Sequence, residues 1–229
     1  MSVGSPPTPA RGVVLAMDAA MGDGTIALLR DGALVDSRDV IMRSDRDETF
    51  FPALLGLLAD CATPMHAIDS LVVGAGPGSF TALRVVGATA KGIAHARGVP
   101  LFSVSSLALT VAADASTAAA GTRWLSTLDA LRGECYAALV SVGAEGVATR
   151  VEHLGLVRAD AVAERAAELE ALPIGPTAAH RAHPHARGVR RCLSLAAAAP
   201  ADLATWEPMY GRLAEAQVKW EAAHGRPLG

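Results

Sequence analysis

The chain has 229 residues, of which 51% are hydrophobic and 19% charged, and its formal net charge is −3. These values predict a packed globular protein of one large or two modest domains, and they argue against a broad nucleic-acid-binding surface. The three cysteines lack a metal-type spacing, and their odd number fits a reducing cytoplasm better than a disulfide framework. We expect no membrane span, because glycine, proline or charge interrupts every long apolar stretch.

Three strands followed by helices and further strands are predicted after a Pro/Ser/Gly-rich leader, residues 1–12, which we expect to be disordered. In the helix at 48–62, the residues Phe51, Leu54, Leu55 and Leu58 fall on one stripe. The predicted elements of the first half are strands at 13–18, 24–29, 33–41, 71–74 and 100–104, and helices at 48–62, 81–97 and from 105 towards 114.

A faint repeat links the two halves of the chain: residues 18–28 read DAAMGDGTIAL and residues 129–139 read DALRGECYAAL. In each copy an apolar strand ends in Asp-Ala, glycine follows four residues after the aspartate, and a second strand ends in Ala-Leu. The repeat predicts an α/β fold of two tandem actin-like, ribonuclease-H-like subdomains with mixed sheets. We place them at 13–114 and 122–229, the second abbreviated and irregular at about 173–200. In such an architecture the two Asp-bearing turns face each other across a nucleotide cleft.

A glycine loop separates the strand at 71–74 from the helix at 81–97. Two interpretations remain open: a turn that allows close helix–sheet packing, or an anion site at the helix N-terminus with a serine cap. A dinucleotide fingerprint is disfavoured because no acid occurs between Ser70 and Ala113, and a Walker A loop is excluded because no Gly-Lys-Ser/Thr triplet is present. The candidate residues of this loop are Gly74, Gly76, Gly78, Ser79 and Thr81.

The helix at 81–97 carries many small residues on more than one face, although each glycine costs a helix roughly 1 kcal/mol. Its charged side chains are all basic. These features indicate either a solvated face or a surface that an acidic partner helix approaches closely. The residues concerned are Gly87, Ala88, Ala90, Gly92 and Ala94, with Arg84, Lys91 and Arg97.

The segment GAGPGSFTALRVVGATAKGIA, followed by GVPLFSVSSL, closely resembles the signature of the TsaB (YeaZ) family of the actin-like (ASKHA) superfamily. The segments VVLAMDAAMGDGTIALL, STLDALRGECYAAL and EPMYGRLAEAQ are also similar to family segments. Two departures stand out: Ala19 and Ala20 replace the usual Thr-Ser, and Leu131 replaces an arginine. Residues 157–200 match no segment of the family.

The resemblance implies a cytoplasmic, non-catalytic scaffold that activates threonylcarbamoyl transfer to adenosine 37 of tRNA, the synthesis of t6A. It implies pairing with the catalytic subunit TsaD, engagement of the ATPase TsaE, contact with tRNA only through the complex, and self-pairing of the isolated chain. The pairing helices correspond to 48–62 and 81–97. The candidate interface residues are Phe50, Phe51, Leu54, Leu55, Leu58, Arg84, Ala88 and Lys91, and periodicity does not decide which of them face the core.

Asp18 and Asp129 are the candidates for chemistry of the chain's own. They suit Mg–nucleotide chemistry across a cleft, or each hydrogen-bonds its own turn. Because the residues around them lack hydroxyl groups, we expect a vestigial nucleotide cleft. No His-x-x-x-His pair or HExxH motif occurs, so no metal and no cofactor are expected. The alternative is an active small ATP-dependent kinase or carbamoyl transferase of the same superfamily.

Overall fold

The computed structural model describes residues 11–42, 48–196, 199–211 and 224–225. Within these ranges the chain forms two five-stranded sheets and four α-helices. The first sheet contains β1 (Val13–Asp18), β2 (Gly24–Arg30), β3 (Ala33–Val40), β4 (Ser70–Gly74) and β5 (Leu101–Val104). The second contains β6 (Arg123–Asp129), β7 (Glu134–Val142), β8 (Ala148–Arg158), β9 (Leu172–Gly175) and β10 (His180–Arg181). The helices are α1 (Phe50–Asp60), α2 (Phe80–Arg97), α3 (Ser106–Ala113) and α4 (Val162–Glu168).

The two sheets share one topology. The strand order is β3-β2-β1-β4-β5 in the first sheet and, read in the same direction, β8-β7-β6-β9-β10 in the second. In each sheet the first three strands are antiparallel neighbours and the last two add in parallel. Asp18 and Asp129 end the corresponding strands β1 and β6. The predicted fold of two tandem subdomains with mixed sheets is therefore confirmed.

The second subdomain is shortened at one place. In the first, the 18-residue helix α2 connects β4 to β5. In the second, the corresponding strands β9 and β10 have four and two residues and are joined by a short turn without a helix. After β10 the chain leaves the second sheet.

The core lies on both faces of the first sheet. Helices α1 and α2 cover one face, where Leu54 and Val86 pack with Met17. Helix α3 lies on the other face, and its side chains belong to a cluster that includes Val140 and Ile174 of the second sheet. The subdomains therefore share one continuous core.

Helix α1 buries a different stripe from the one that the sequence indicated. Phe50, Leu54, Leu57 and Leu58 are buried, whereas Phe51 is 40% exposed. The spacing i, i+4, i+7, i+8 is as helical as the predicted one, and the nearly continuous apolar run FFPALLGLL fits both. The sheet beneath the helix decides between them.

Residues 182–195 cross from the second subdomain to the first. Two short 3-10 segments, Ala186–Arg191 and Leu193–Leu195, occupy the region predicted to be irregular. The amide of Ala186 donates to Thr25 Oγ1 at 3.0 Å. Gly188 lies against the backbone at the end of α3, where a Cβ atom would be 2.8 Å from the nitrogen of Ala113. Part of the sequence assigned to the second subdomain therefore packs with the first.

Residues 201–211, which we call the strap, run along the first subdomain and reach the second. The amide of Met209 donates to the carbonyl of Ala75 at 2.7 Å, and the Tyr136 hydroxyl on β7 donates to the carbonyl of Tyr210 at 3.3 Å. The side chain of Trp206 packs against the core cluster that contains the buried residues of α2. The sequence also predicts a helical i,i+4 pair, Glu215–Lys219, and a further aromatic anchor, Trp220, and these residues lie outside the described ranges. In the described part of the chain, no helix is long and apolar enough to cross a membrane.

Candidate functional site

Asp18 is a buried carboxylate at the end of β1, with 1% of its surface exposed. Its Oδ1 accepts from the amide of Ala20 at 3.0 Å, and its Oδ2 accepts from the hydroxyl of Ser106. Ser106 Oγ in turn accepts from the amide of Gly76 at 3.0 Å. Burial raises the pKa of Asp18, and the hydrogen bonds from Ser106 and Ala20 oppose that shift. The carboxylate joins its own turn, the glycine loop and the start of α3.

Asp129 also binds its own turn, since its Oδ1 accepts from the amide of Leu131 at 2.8 Å. The turns after β1 and β6 meet in an apolar cluster that contains Ala20 and Ala130, with Leu83 and Tyr136 buried beside them. Tyr210 of the strap packs against the same cluster. The two turns predicted to flank a nucleotide cleft are thus packed together by the chain's own side chains.

The glycine loop is packed against the turn after β1. A Cβ atom on Gly74 would lie 1.8 Å from Asp18 Oδ2, and one on Gly78 would lie 2.2 Å from the carbonyl oxygen of Ala20. The amide of Ser79 donates to that same carbonyl at 2.8 Å. Within the described residues the Ser79 hydroxyl makes no capping hydrogen bond, contrary to the predicted cap. This geometry favours the packing interpretation over the anion site, and Thr81 lies exposed on the first turn of α2.

The structure divides the predicted interface residues into two groups. Phe50, Leu54 and Leu58 are 1%, 0% and 3% exposed and belong to the chain's own core, which removes them from the surface. Lys91 is committed to the strap, because its Nζ donates to the carbonyl of Trp206 at 3.1 Å. The residues left exposed are Phe51, Leu55, Arg84 and Ala88; with Gly92 they form what we call the helix face.

The small residues of α2 lie in three different environments. Ala90 and Ala94 face the sheet. Gly87 lies under the strap, since a Cβ atom there would be 3.2 Å from Pro208 and 3.4 Å from Trp206. Ala88 and Gly92 are exposed. The sequence indicates Trp206 and Tyr210 as anchors of the C-terminal tail, but not where they pack, because the contacts of the strap with α2 join residues more than a hundred positions apart.

The histidines near the end of the second sheet do not converge. His180 Nε2 lies 2.8 Å from Asp114 Oδ2, His185 is buried, and His183 is exposed. Across the described ranges, no group of three or more His, Cys, Asp or Glu side chains is placed to hold a metal ion.

Comparisons with known proteins point to one family. A family model described as TsaD, tRNA N6-adenosine threonylcarbamoyltransferase, matches residues 44–183, more than half of the chain. The tRNA threonylcarbamoyladenosine biosynthesis protein TsaB of Escherichia coli is 30% identical over 156 residues, which cover 68% of this chain and 67% of that protein. The chain belongs to the TsaB (YeaZ) family.

Other TsaB relatives and structures agree with this assignment. The Bacillus subtilis TsaB protein is 31% identical over 131 residues, which cover 55% of this chain and 54% of that protein. The structure of YeaZ from Pseudomonas aeruginosa superposes with a TM-score of 0.65 at 22% identity and covers 87% of this chain and 99% of that one. A second P. aeruginosa structure, of a protein similar to peptidase YeaZ, gives a TM-score of 0.70 at 24% identity and covers 88% of this chain and 100% of its own. These structural likenesses show the fold.

We predict that this TsaB-family protein loses stability in acid, because the pKa of its buried His185 is lowered. Burial lowers its pKa to about 4, the charge of Arg187 adds to the shift, and Asp39 opposes it. An unfolded histidine has a pKa of about 6.5. The unfolded state therefore takes up this proton more readily, so stability is complete above about pH 6.5 and falls as the pH drops towards 4. After allowance for solvent screening, we expect about 2 kcal/mol to be lost between about pH 7 and 4.5.

Urea denaturation at a series of pH values measures this loss, with His185→Gln as the comparison. The variant lacks the titrating ring, so its free energy of unfolding should fall less steeply over that interval. Parallel curves for the two proteins would show that another group controls the acid limb.

Proposed function

We propose that this chain is a cytoplasmic, non-catalytic subunit in the biosynthesis of threonylcarbamoyladenosine in tRNA, which pairs with TsaD, engages TsaE and meets tRNA only through the complex. The role in biosynthesis is supported by the names of the E. coli and B. subtilis relatives and by the transferase family model. The non-catalytic role and the pairing are supported by one contrast. The turns after Asp18 and Asp129 are packed together by apolar side chains, whereas the helix face is exposed.

The absence of catalysis is supported by the surroundings of the two aspartates. Positioning of Mg²⁺ and phosphate needs carboxylates that reach a polar cavity. Asp18 is sealed by Ser106 and Ala20, and the turns that follow Asp18 and Asp129 are packed together by apolar side chains. With 1% of its surface exposed, Asp18 is closed to a metal-bound nucleotide. No observation favours the kinase or carbamoyl-transferase alternative.

The pairing is supported by the composition of the helix face. Phe51 and Leu55 are 40% and 45% exposed on α1, which covers the same side of the sheet as α2. On α2, Ala88 and Gly92 leave the backbone open to close approach, and a Cβ atom added to Gly92 would have no neighbour within 4 Å among the described residues. Large apolar side chains on one helix and small ones on the other suit helix-to-helix docking, and Arg84 favours an acidic group on the partner. The same face would serve self-pairing of the isolated chain.

Ala88→Trp is expected to abolish co-elution with TsaD in size-exclusion chromatography. Because Ala88 is exposed, the indole leaves the fold intact, but it separates helices that must cross closely. We expect the affinity for TsaD to fall at least about 30-fold, or about 2 kcal/mol. Ala167→Trp, at an exposed position on α4, is the matched control and should bind normally. Unchanged binding by Ala88→Trp would place the interface elsewhere.

Reconstitution separates the scaffold role from catalysis. The chain alone should neither turn over ATP nor modify tRNA, whereas its addition to TsaD and TsaE should increase modification. Enzyme-like turnover by the purified chain would overturn the non-catalytic assignment even if the pairing were correct.

A further inference from the structure

A cavity of about 730 Å³ lies between the subdomains, away from the helix face; neither Asp18 nor Asp129 lines it, although the turn that follows Asp18 does. Its walls are the turn after β1, the end of β3, the C-terminal end of α3 and the segment 181–187. Its charged and titratable lining includes Asp23, Asp39, Asp114, Arg181, His185 and Arg187. A volume of this size falls within the range of small-molecule sites, roughly 300–1,000 Å³.

His185 supplies a buried donor to this cavity. The side chain is 6% exposed, and its Nδ1 accepts from the amide of Arg187 at 3.0 Å. A neutral ring that accepts at Nδ1 carries its proton on Nε2. Nε2 lies 3.7 Å from Asp39 Oδ1, which is beyond hydrogen-bond distance. Within the described part of the chain, the N–H of this largely buried ring therefore makes no hydrogen bond and is available to a ligand.

Two guanidinium groups add further donors. Arg187 uses its Nε to donate to the carbonyl of Ala113 at 3.2 Å, and its terminal nitrogens make no hydrogen bond to any described residue. Arg181 is exposed, and the described residues offer it no hydrogen bond or ion pair. Planar guanidinium groups bind carboxylates and phosphates through paired hydrogen bonds. The donors available on these walls fit an oxyanion.

Two of the three acidic side chains that line the cavity make hydrogen bonds within the protein. Asp114 accepts from the amide of Ser116 at 2.9 Å and pairs with His180. Asp23 accepts from the amide of Met42 at 3.3 Å. Asp39 is the exception, with 84% of its side chain exposed. Its carboxylate opposes an anion in the cavity.

The donor segment is held in place before any ligand arrives. Ala186, between His185 and Arg187, donates to Thr25 Oγ1, and the Thr25 hydroxyl donates to the carbonyl of Asp18 at 3.3 Å. Gly188 is packed against the end of α3. Binding therefore requires little ordering of the backbone, which favours affinity.

We propose that this cavity binds a small oxyanion ligand, a phosphate or carboxylate compound, through Arg181, Arg187 and the Nε2–H of His185. The inference does not rest on the proposed function, because it involves neither TsaD nor the helix face. It assigns a ligand site apart from the glycine loop, where the sequence left an anion site open.

Calorimetric titration of the full chain at pH 7 and constant ionic strength tests the site, with inorganic phosphate and succinate as separate probes. At least one probe should bind saturably. Stronger binding of phosphate assigns a phosphate compound, and stronger binding of succinate assigns a carboxylate. Arg187→Gln and Arg181→Gln should each weaken binding about tenfold. Asp39→Asn should strengthen it several-fold, because it removes the opposing charge.

Arg190→Gln is the matched control, since Arg190 is exposed on the same segment but does not line the cavity. This variant should bind as the wild type does. The proposal fails if neither probe saturates, or if Arg190→Gln weakens binding as much as Arg187→Gln, because a general effect of charge would then explain the result.

Discussion

Gly78→Ala is expected to destabilise the protein by about 3 kcal/mol. The added Cβ atom would lie 2.2, 2.7 and 2.8 Å from the carbonyl oxygen, Cα and carbonyl carbon of Ala20. These are backbone atoms, so no side-chain rotation relieves the overlap. The amide of Ser79 donates to the carbonyl of Ala20 across this contact at 2.8 Å. Separation of the loop from the turn would break that bond.

Gly92→Ala is the control for this substitution, and urea denaturation compares the two variants. Gly92 lies within α2, and no atom of the described ranges comes within 4 Å of the position that its Cβ would take. Alanine is more favourable than glycine inside a helix by about 0.5–1 kcal/mol, so this variant should be more stable than the wild type. A Gly78→Ala protein of normal stability would show that the loop can move away from Ala20, contrary to the packing described above.

Much of the fold could be predicted because it is encoded locally. The strands of the first sheet have apolar runs bounded by turns, and the copied Asp-Ala segments mark the beginning of each subdomain. The identical strand orders show that this short repeat reflects a duplicated topology. The phase of α1 was not encoded in this way, because Phe50 and Phe51 are both phenylalanine and only the sheet selects the buried one.

The candidate site was harder to predict because its contacts are long-range. The sequence fits two roles for Asp18, in nucleotide chemistry or in binding its own turn. The structural role also includes a hydrogen bond from Ser106, which lies 88 residues away in sequence. The cavity depends on contacts between residues 181–187 and Thr25, in a stretch whose sequence shows no periodicity. Hydrophobic patterns specify which face of an element is buried, but they contain no information about which distant polar group completes a hydrogen bond.

The strap changes how the small residues of α2 are interpreted. As a single surface, they would indicate one broad site for a partner helix. In the structure, Gly87 accommodates Pro208, Ala90 packs on the sheet, and Ala88 is exposed. The small residues therefore lie in different environments, and the part of α2 left open to a partner is narrower than the composition of the helix indicates.

Arg191→Met is expected to cost about 4 kcal/mol, because it removes the guanidinium donor from the buried carbonyls of Gly146 and Ala112. Arg191 is 7% exposed, and its Nε donates to the carbonyl of Gly146 at 2.6 Å. Its Nη1 donates to the carbonyls of Ala112 and Asp114, at 3.2 and 2.5 Å, and its Nη2 donates to Thr117 Oγ1 at 3.2 Å. The guanidinium thus satisfies carbonyls at and just beyond the end of α3, which the helix itself leaves without partners.

Arg190→Met separates the lost hydrogen bonds from the lost charge, since Arg190 is exposed and adjacent in sequence. Its free energy of unfolding should stay within about 0.5 kcal/mol of the wild type. Methionine preserves much of the length of the arginine side chain, so a cavity would not account for a large loss at position 191. If Arg191→Met lost less than about 1 kcal/mol, water would have to reach these carbonyls, and the junction between α3 and the second subdomain would be less tightly packed than the buried guanidinium indicates.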